Sequence, residues 1–193
     1  MEPCNAVAHT VDGVTELFTI GHGTHPVEEM TALLRGAGVL AVIDIRIAPG
    51  SRRHPQFQRG ALAGWLPAAD IGYRWERRLG GFRRLPPDSP DTALRNESFR
   101  AYAGYMRTAE FRDALGELLG DAAEVPSAVM CSESLWWRCH RRLVADHVVL
   151  LDGWQVNHVM PDGRLAEHRP TDGVRVAGDE LYYDGHAPTP CAG

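Results

Sequence analysis

The chain contains no lysine: all twenty of its Lys-or-Arg positions are arginine. Schiff-base chemistry and lysine general bases are therefore excluded. Cysteine is scarce, with four residues at positions 4, 131, 139 and 191, too few and too unevenly spread for a disulfide framework. A bridge between Cys131 and Cys139 is compatible with the sequence; otherwise these are thiols of a reducing compartment, buried or reactive. Long hydrophobic runs are missing as well, none approaching the ~20 residues that span a bilayer. The opening MEPCNAVAHTVDG lacks a charged region followed by an apolar stretch. These absences predict a cytoplasmic protein with no membrane partner. No repeat or linker divides the 193 residues, which predicts one domain.

What is present is an ordinary globular mixture, 44% hydrophobic and 23% charged. A net charge of -5 argues against a general polyanion-binding surface. The charge is uneven, however: from Arg46 to Arg84 nine arginines meet only Asp70 and Glu76. That excess fits a phosphate, a carboxylate or a nucleic-acid backbone, and equally a solvated face. Tyr73, Trp75, Trp136 and Trp137 could stack on a planar ligand beside it, or belong to the core.

Hydrophobic patterning predicts strands at residues 16–20, 39–45, 72–75, 126–130 and 154–159. Helices are expected at about 27–35, 60–68, 98–107, 110–119 and 142–151, the first entered through Pro26 and stopped by Gly36 and Gly38. Residues 79–96, rich in glycine and proline, read as a long loop. The alternation of strands and helices gives an α/β fold, a layered single domain with a largely parallel sheet flanked by helices. Its expected bounds are residues 16–160, with a tail at 1–15 and an irregular extension at 161–193.

In such sheets ligands bind beyond the carboxyl ends of the strands. His22 follows the first predicted strand, Asp44 and Arg46 end the second, Cys131 and Glu133 follow the fourth, and His158 lies near the end of the fifth. The densest stretch runs from Cys131 to Leu143, CSESLWWRCHRRL, at a strand-to-helix turn. A thiol there, near a helix N-terminus and arginine, is favoured as thiolate. His140 titrates near neutral pH and suits general acid or base work, with Glu133 orienting it or carrying a proton. Each residue also has a plainer reading: a buried thiol, a helix cap, or an Asp44–Arg46 salt bridge. Cys131, Cys139, His140, His22 and His158 include zinc or iron ligand types, but the eight-residue cysteine spacing is not that of a common structural zinc site, so no metal ligand is assigned and no cofactor is required.

The motifs Thr19-Ile-Gly-His22, Val42-Ile-Asp-Ile-Arg46 with Pro49, Ser51 and Phe57, Leu79-Gly-Gly81, Tyr105-Met106, Cys131-Ser-Glu133, Cys139-His-Arg141 and Val156-Asn-His158 occur in this order. Together they resemble the domain of unknown function 488 family of small bacterial and archaeal proteins. The resemblance implies an α/β fold and a shared site at these positions, and no reaction. The tryptophan pair 136–137 departs from the small polar or acidic residues more usual there.

The expected site thus has Cys131, Glu133, Cys139, His140 and His22 as catalytic residues, with Asp44, Arg46, Ser51, Arg141 and His158 as substrate-binding residues. The expected function is a cysteine- or histidine-dependent hydrolase or transferase acting on a small anionic or nucleotide-like substrate. The alternative is a nucleotide or nucleic-acid binding module that uses residues 46–84 without turnover.

Overall fold

Strand β2 (Val14–Gly21) forms where apolar and β-branched residues alternate, and its period of two sends Leu17 to one face and Phe18 and Ile20 to the other. The computed structural model of the protein describes residues 10–11 and 14–186. Before β2 lies the two-residue strand β1 (Thr10–Val11), paired antiparallel with it. Helix α1 (Val27–Gly36) follows, with Pro26 at its N-cap, and then β3 (Ala41–Asp44), α2 (Arg59–Ala68) and β4 (Gly72–Trp75). Helices α3 (Glu97–Met106) and α4 (Ala109–Glu124) are capped by Asn96 and Thr108, whose side-chain oxygens accept from the N–H groups of Ser98 and Phe111. Strand β5 (Ser127–Cys131), helix α5 (Arg141–Leu150) and β6 (Gln155–Val159) complete the repeating part.

The sheet runs β4-β3-β5-β2-β6, all parallel, and strand β7 (Leu165–Glu167) adds antiparallel to β6. Helices cover both faces, as a largely parallel sheet requires. One face packs Phe18, Ile20, Val42 and Met130 against α1 and α2 through Met30, Leu34, Leu62 and Leu66. The other packs Leu17, Ile43, Ile45 and Val129 against α3, α4 and α5 through Tyr102, Phe111, Leu118 and Leu143. Among the described residues no helix is long and apolar enough to cross a membrane.

The segment from residue 161, expected to be irregular, instead carries β7 and a hairpin of β8 (Arg175–Ala177) with β9 (Glu180–Tyr182). Such three-residue strands are too short to leave a period in the sequence. Their anchors are polar. The Tyr183 hydroxyl donates to Asp146 Oδ2 at 2.8 Å, its N–H donates to Asp91 Oδ1, and Arg107 pairs with Asp91 at 2.7 Å. At the other end, β1 and the start of β2 occupy part of the expected N-terminal tail. Cys4 and Cys191 lie outside the described residues.

Candidate functional site

The strand register decides which side chains meet. Gly21 pairs with Cys131 and Asp44 with Met130, so β2, β3 and β5 end together. The ladder continues one step past them, with His22 N–H donating to the Cys131 carbonyl and Gly23 N–H to that of Ser132, both at 2.9 Å. Because Asp44 aligns with Met130 and Cys131 is one residue further on, Asp44 and Cys131 project to opposite faces. The expected single pocket is therefore two neighbouring cavities that share Arg46, Ala48, Ser132 and Glu133.

On the α1–α2 side, Asp44 is fully buried and binds Arg46 through a two-pronged contact, Nε to Oδ1 at 2.8 Å and Nη2 to Oδ2 at 2.6 Å. Arg46 Nη2 also donates to the Phe57 carbonyl, and Nη1 lies 3.0 Å from His22 Nε2. Four of the five guanidinium N–H groups are thus engaged, and the fork expected to grip an anion is closed on Asp44. Ser51 borders this second cavity and spends its hydroxyl on the His54 N–H.

His22 stacks on Phe57 with ring centroids 4.2 Å apart and directs Nδ1 at the Gly23 carbonyl. Both ring nitrogens have partners, Nδ1–H donating to the Gly23 carbonyl and Nε2 accepting from Arg46. Burial, and then the Arg46 charge, lower its pKa to about 4. The folded value lies below the ordinary one, so unfolded chains bind the extra proton. Stability from this group is complete above pH ~6.5 and is lost as pH falls towards ~4, a difference of about 3 kcal/mol at ~1.4 kcal/mol per unit. Urea unfolding near pH 7 and near pH 4.5 should therefore show a smaller acid loss in His22→Gln than in the native chain. Equal losses would refute the buried neutral imidazole.

On the α3–α5 side lies a cavity of about 350 Å³ lined by Cys131, Cys139, His140, Glu133, Arg138 and Phe82, among others. Cys131 ends β5, Cys139 closes a 3₁₀ turn at Trp136–Arg138, and His140 is the N-cap of α5. His140 Nδ1 stands 3.9 Å from Cys131 Sγ and 3.7 Å from Cys139 Sγ. Both cysteines are free and buried. The adjoining Cys139 thiol, the Arg141 charge and the N–H groups of Ser132 and Glu133 draw Cys131 below the ordinary thiol pKa, against the effect of burial. Burial and the neighbouring Cys131 push Cys139 upwards. The three side chains are of metal-ligand type, and their donor atoms all lie within 4.8 Å of one another.

Other expected site residues play different parts. Arg141, only 1% exposed, donates Nη1 to the Glu133 carbonyl and Nη2 to the Ser134 carbonyl, the latter at 2.9 Å. It holds the turn after β5 and does not reach the cavity lining with its guanidinium. The Glu133 side chain is exposed and makes no hydrogen bond to His140 among the described residues. His158 points away from the strand ends into a buried chain, Thr19 Oγ1 to His158 Nδ1 at 2.6 Å, His158 Nε2 to His168 Nδ1 at 2.9 Å, and His168 Nε2 to Asp146 Oδ1 at 2.8 Å. Trp136 stacks over it at 4.2 Å, so the unusual tryptophan closes this chain off. Burial, followed by the His168 and Arg141 charges, lowers the His158 pKa.

Sequence reasoning missed Asp146 and His168, which share no local motif, and also the cavity residues Phe82 and Phe99. Arg138 supplies the exposed cation of the cavity. Its signal was its place between Cys131 and Cys139. Phe82 is 93% exposed and holds a positive φ of 59° at the cavity wall.

These features define a doubly covered α/β domain with a cysteine–histidine cluster at the carboxyl edge of its sheet. The sequence profile described as Domain of unknown function DUF488 matches residues 26–148, and the chain belongs to that family. The match takes in Asp44, Arg46, Ser51, Cys131, Glu133, Cys139, His140 and Arg141, and stops short of His22 and His158. No curated protein and no solved structure matches the chain.

Proposed function

We propose that the protein is an enzyme, a hydrolase or transferase whose chemistry falls to Cys131, Cys139 and His140 and whose substrate is a small anionic or nucleotide-like molecule. The observation that carries this reading is the convergence of two buried thiols and an imidazole nitrogen, 3.7 and 3.9 Å apart, at the wall of a cavity of about 350 Å³. That volume suits a small molecule. Arg138 offers the anion a guanidinium, and Phe82 and Phe99 offer a planar group apolar surface. Among the described residues His140 Nε2 is buried without a partner, which gives the ring a free hydrogen-bonding position.

A nucleic-acid binding module has less support. Of the nine arginines between 46 and 84, five are committed within the fold: Arg46 to Asp44, Arg74 and Arg78 to Glu76, and Arg59 and Arg83 over the rings of Trp75 and Tyr105. Tyr73 and Trp75 are tied down by hydrogen bonds to Asp44 and to the Arg46 carbonyl.

The test combines binding with turnover. Inorganic phosphate or a nucleoside monophosphate should raise the melting temperature, by the equivalent of ~2.7 kcal/mol at a hundredfold excess over Kd, and Arg138→Ala should reduce the rise. A panel of phosphate and carboxylate esters should include one that is turned over by the native chain and not by His140→Ala. If no anion stabilises the protein and no ester is consumed, the reading fails.

A further inference from the structure

We propose that Cys131, Cys139 and His140 form a three-ligand site for a thiolate-preferring divalent metal, zinc first, with its remaining coordination position open to the cavity. The metal's use in turnover rests on the enzymatic reading above; its binding does not.

The donor set is the first argument. Two sulfurs and one imidazole nitrogen suit zinc and other borderline or soft ions, and disfavour magnesium or calcium, which take oxygen ligands. Geometry is the second. Zn–S bonds of ~2.3 Å and Zn–N bonds of ~2.0 Å at a tetrahedral angle place S and N ~3.5 Å apart. The separations here are 3.7 and 3.9 Å, and no pair of the three donors exceeds 4.8 Å. Small side-chain rotations therefore close the site without moving the backbone. Nδ1 is the nitrogen facing the sulfurs, and the ring is held by its contact with Tyr102, centroids 4.8 Å apart, while the glycine at position 81 admits Nδ1 close to the chain.

Count and charge supply the remaining arguments. Three protein ligands leave one tetrahedral position, the arrangement of catalytic zinc sites, whereas structural sites close with four. All three ligands line the same cavity as Arg138 and Glu133, so the open position faces the space where a substrate would enter. Binding displaces a proton from each thiol to solvent, and two thiolates cancel the divalent charge. The buried Arg141 charge, which already acts on Cys131, is then met by a neutral centre and not by a second cation. A bound metal would supply a Lewis acid at the open position, able to polarise a substrate oxygen or lower the pKa of a water there, chemistry that needs no lysine.

The experiment uses the full chain under a reductant that keeps both thiols free. Zn2+ and Co2+ are titrated in turn, with bound metal measured after dialysis and the Co2+ complex followed by absorption. One metal per chain is expected, with a thiolate-to-cobalt charge-transfer band and the intense visible bands of a tetrahedral ion. Cys139→Ser and His140→Ala should each weaken Co2+ binding by more than the ~10–100-fold typical of losing an outer-shell partner. Cys139 is buried and its substitution could disturb folding; His140 is half-buried, and circular dichroism of both variants identifies the informative one. Sub-stoichiometric metal, no charge-transfer band, or full retention by Cys131→Ser/Cys139→Ser would overturn the proposal. Ester turnover by a chain that takes up no metal in the titration overturns the metal site alone, and metal binding without turnover overturns the enzymatic reading alone.

Discussion

Gly21→Ala is expected to be among the most damaging single substitutions in the chain, lowering stability by more than the ~1–3 kcal/mol of ordinary core overpacking. Gly21 is the last residue of β2, and its missing side chain is where the turn after β5 comes through. A Cβ at this position would overlap the Glu133 carbonyl oxygen and lie 2.6 Å from its carbon and 2.9 Å from Arg141 Nη1. None of these atoms is free to retreat. The Glu133 carbonyl is fixed by Arg141, Arg141 is buried, and the turn is tied to β2 on its other side by the Gly23 and Ser132 bond. The backbone angle at Gly21 is not in question; the space is. Urea unfolding monitored by tryptophan fluorescence gives the measurement, and Gly116→Ala, at a helical site with nothing within 4 Å, is the control and should be neutral or slightly stabilising. A Gly21→Ala chain as stable as the native one would mean that the turn does not pass so close to β2, and the placement of Cys131 against Cys139 and His140 would fall with it.

Much of this architecture can be read from residue patterns. The helix expected at 98–107 occupies Glu97–Met106, and the strand at 72–75 is found at Gly72–Trp75. Apolar periodicity and glycine stops are local signals, and they survive folding where the two faces of an element differ in burial. The same patterns bring Cys131, Cys139 and His140 together, because they sit in one short segment between a strand and a helix. They do not say which face each strand end shows. Period two separates Asp44 from Ile43, yet only the register of Asp44 with Met130 reveals that Asp44 and Cys131 point apart. Register between distant strands is a tertiary property, and so the site read as one pocket divides into two. Arg141 illustrates a related limit. Adjacent arginines at a helix start look alike in sequence, whereas Arg141 is buried against carbonyls and Arg142 lies on the surface side with Thr171 and Phe99. The chain from Thr19 through His158 and His168 to Asp146 draws on two strands, the residue after β7 and a helix, beyond any local pattern.

Asp44→Asn is expected to cost ~3–5 kcal/mol, the range found when one partner of a buried ion pair is removed. The carboxylate accepts four hydrogen bonds: Oδ1 takes Arg46 N–H at 3.1 Å and Nε at 2.8 Å, while Oδ2 takes Nη2 at 2.6 Å and the Tyr73 hydroxyl at 3.0 Å. An asparagine keeps the shape but turns one of these acceptors into a donor, and every neighbour on either side is already a donor. Arg46, only 6% exposed, is then left as a buried cation without its anion. The effect should spread along the same contacts, since Arg46 also donates to the Phe57 carbonyl and faces His22 Nε2. The Asp44 charge favours protonation of His22 and the Arg46 charge opposes it, so with Asp44 neutralised and Arg46 still beside the ring the acid-side loss of stability attributed to His22 should deepen in Asp44→Asn. Tyr73→Phe separates the ion pair from the surrounding hydrogen bonds. It removes one bond to a charged acceptor from a half-buried site, worth ~1.5–3 kcal/mol at most, and leaves Arg46 paired. The ordering Asp44→Asn more harmful than Tyr73→Phe, with a non-additive Asp44→Asn/His22→Gln pair, is the expected result. Additive losses would mean that His22 and the Asp44–Arg46 pair act independently, and that the strand ends of β2 and β3 are not joined through Arg46.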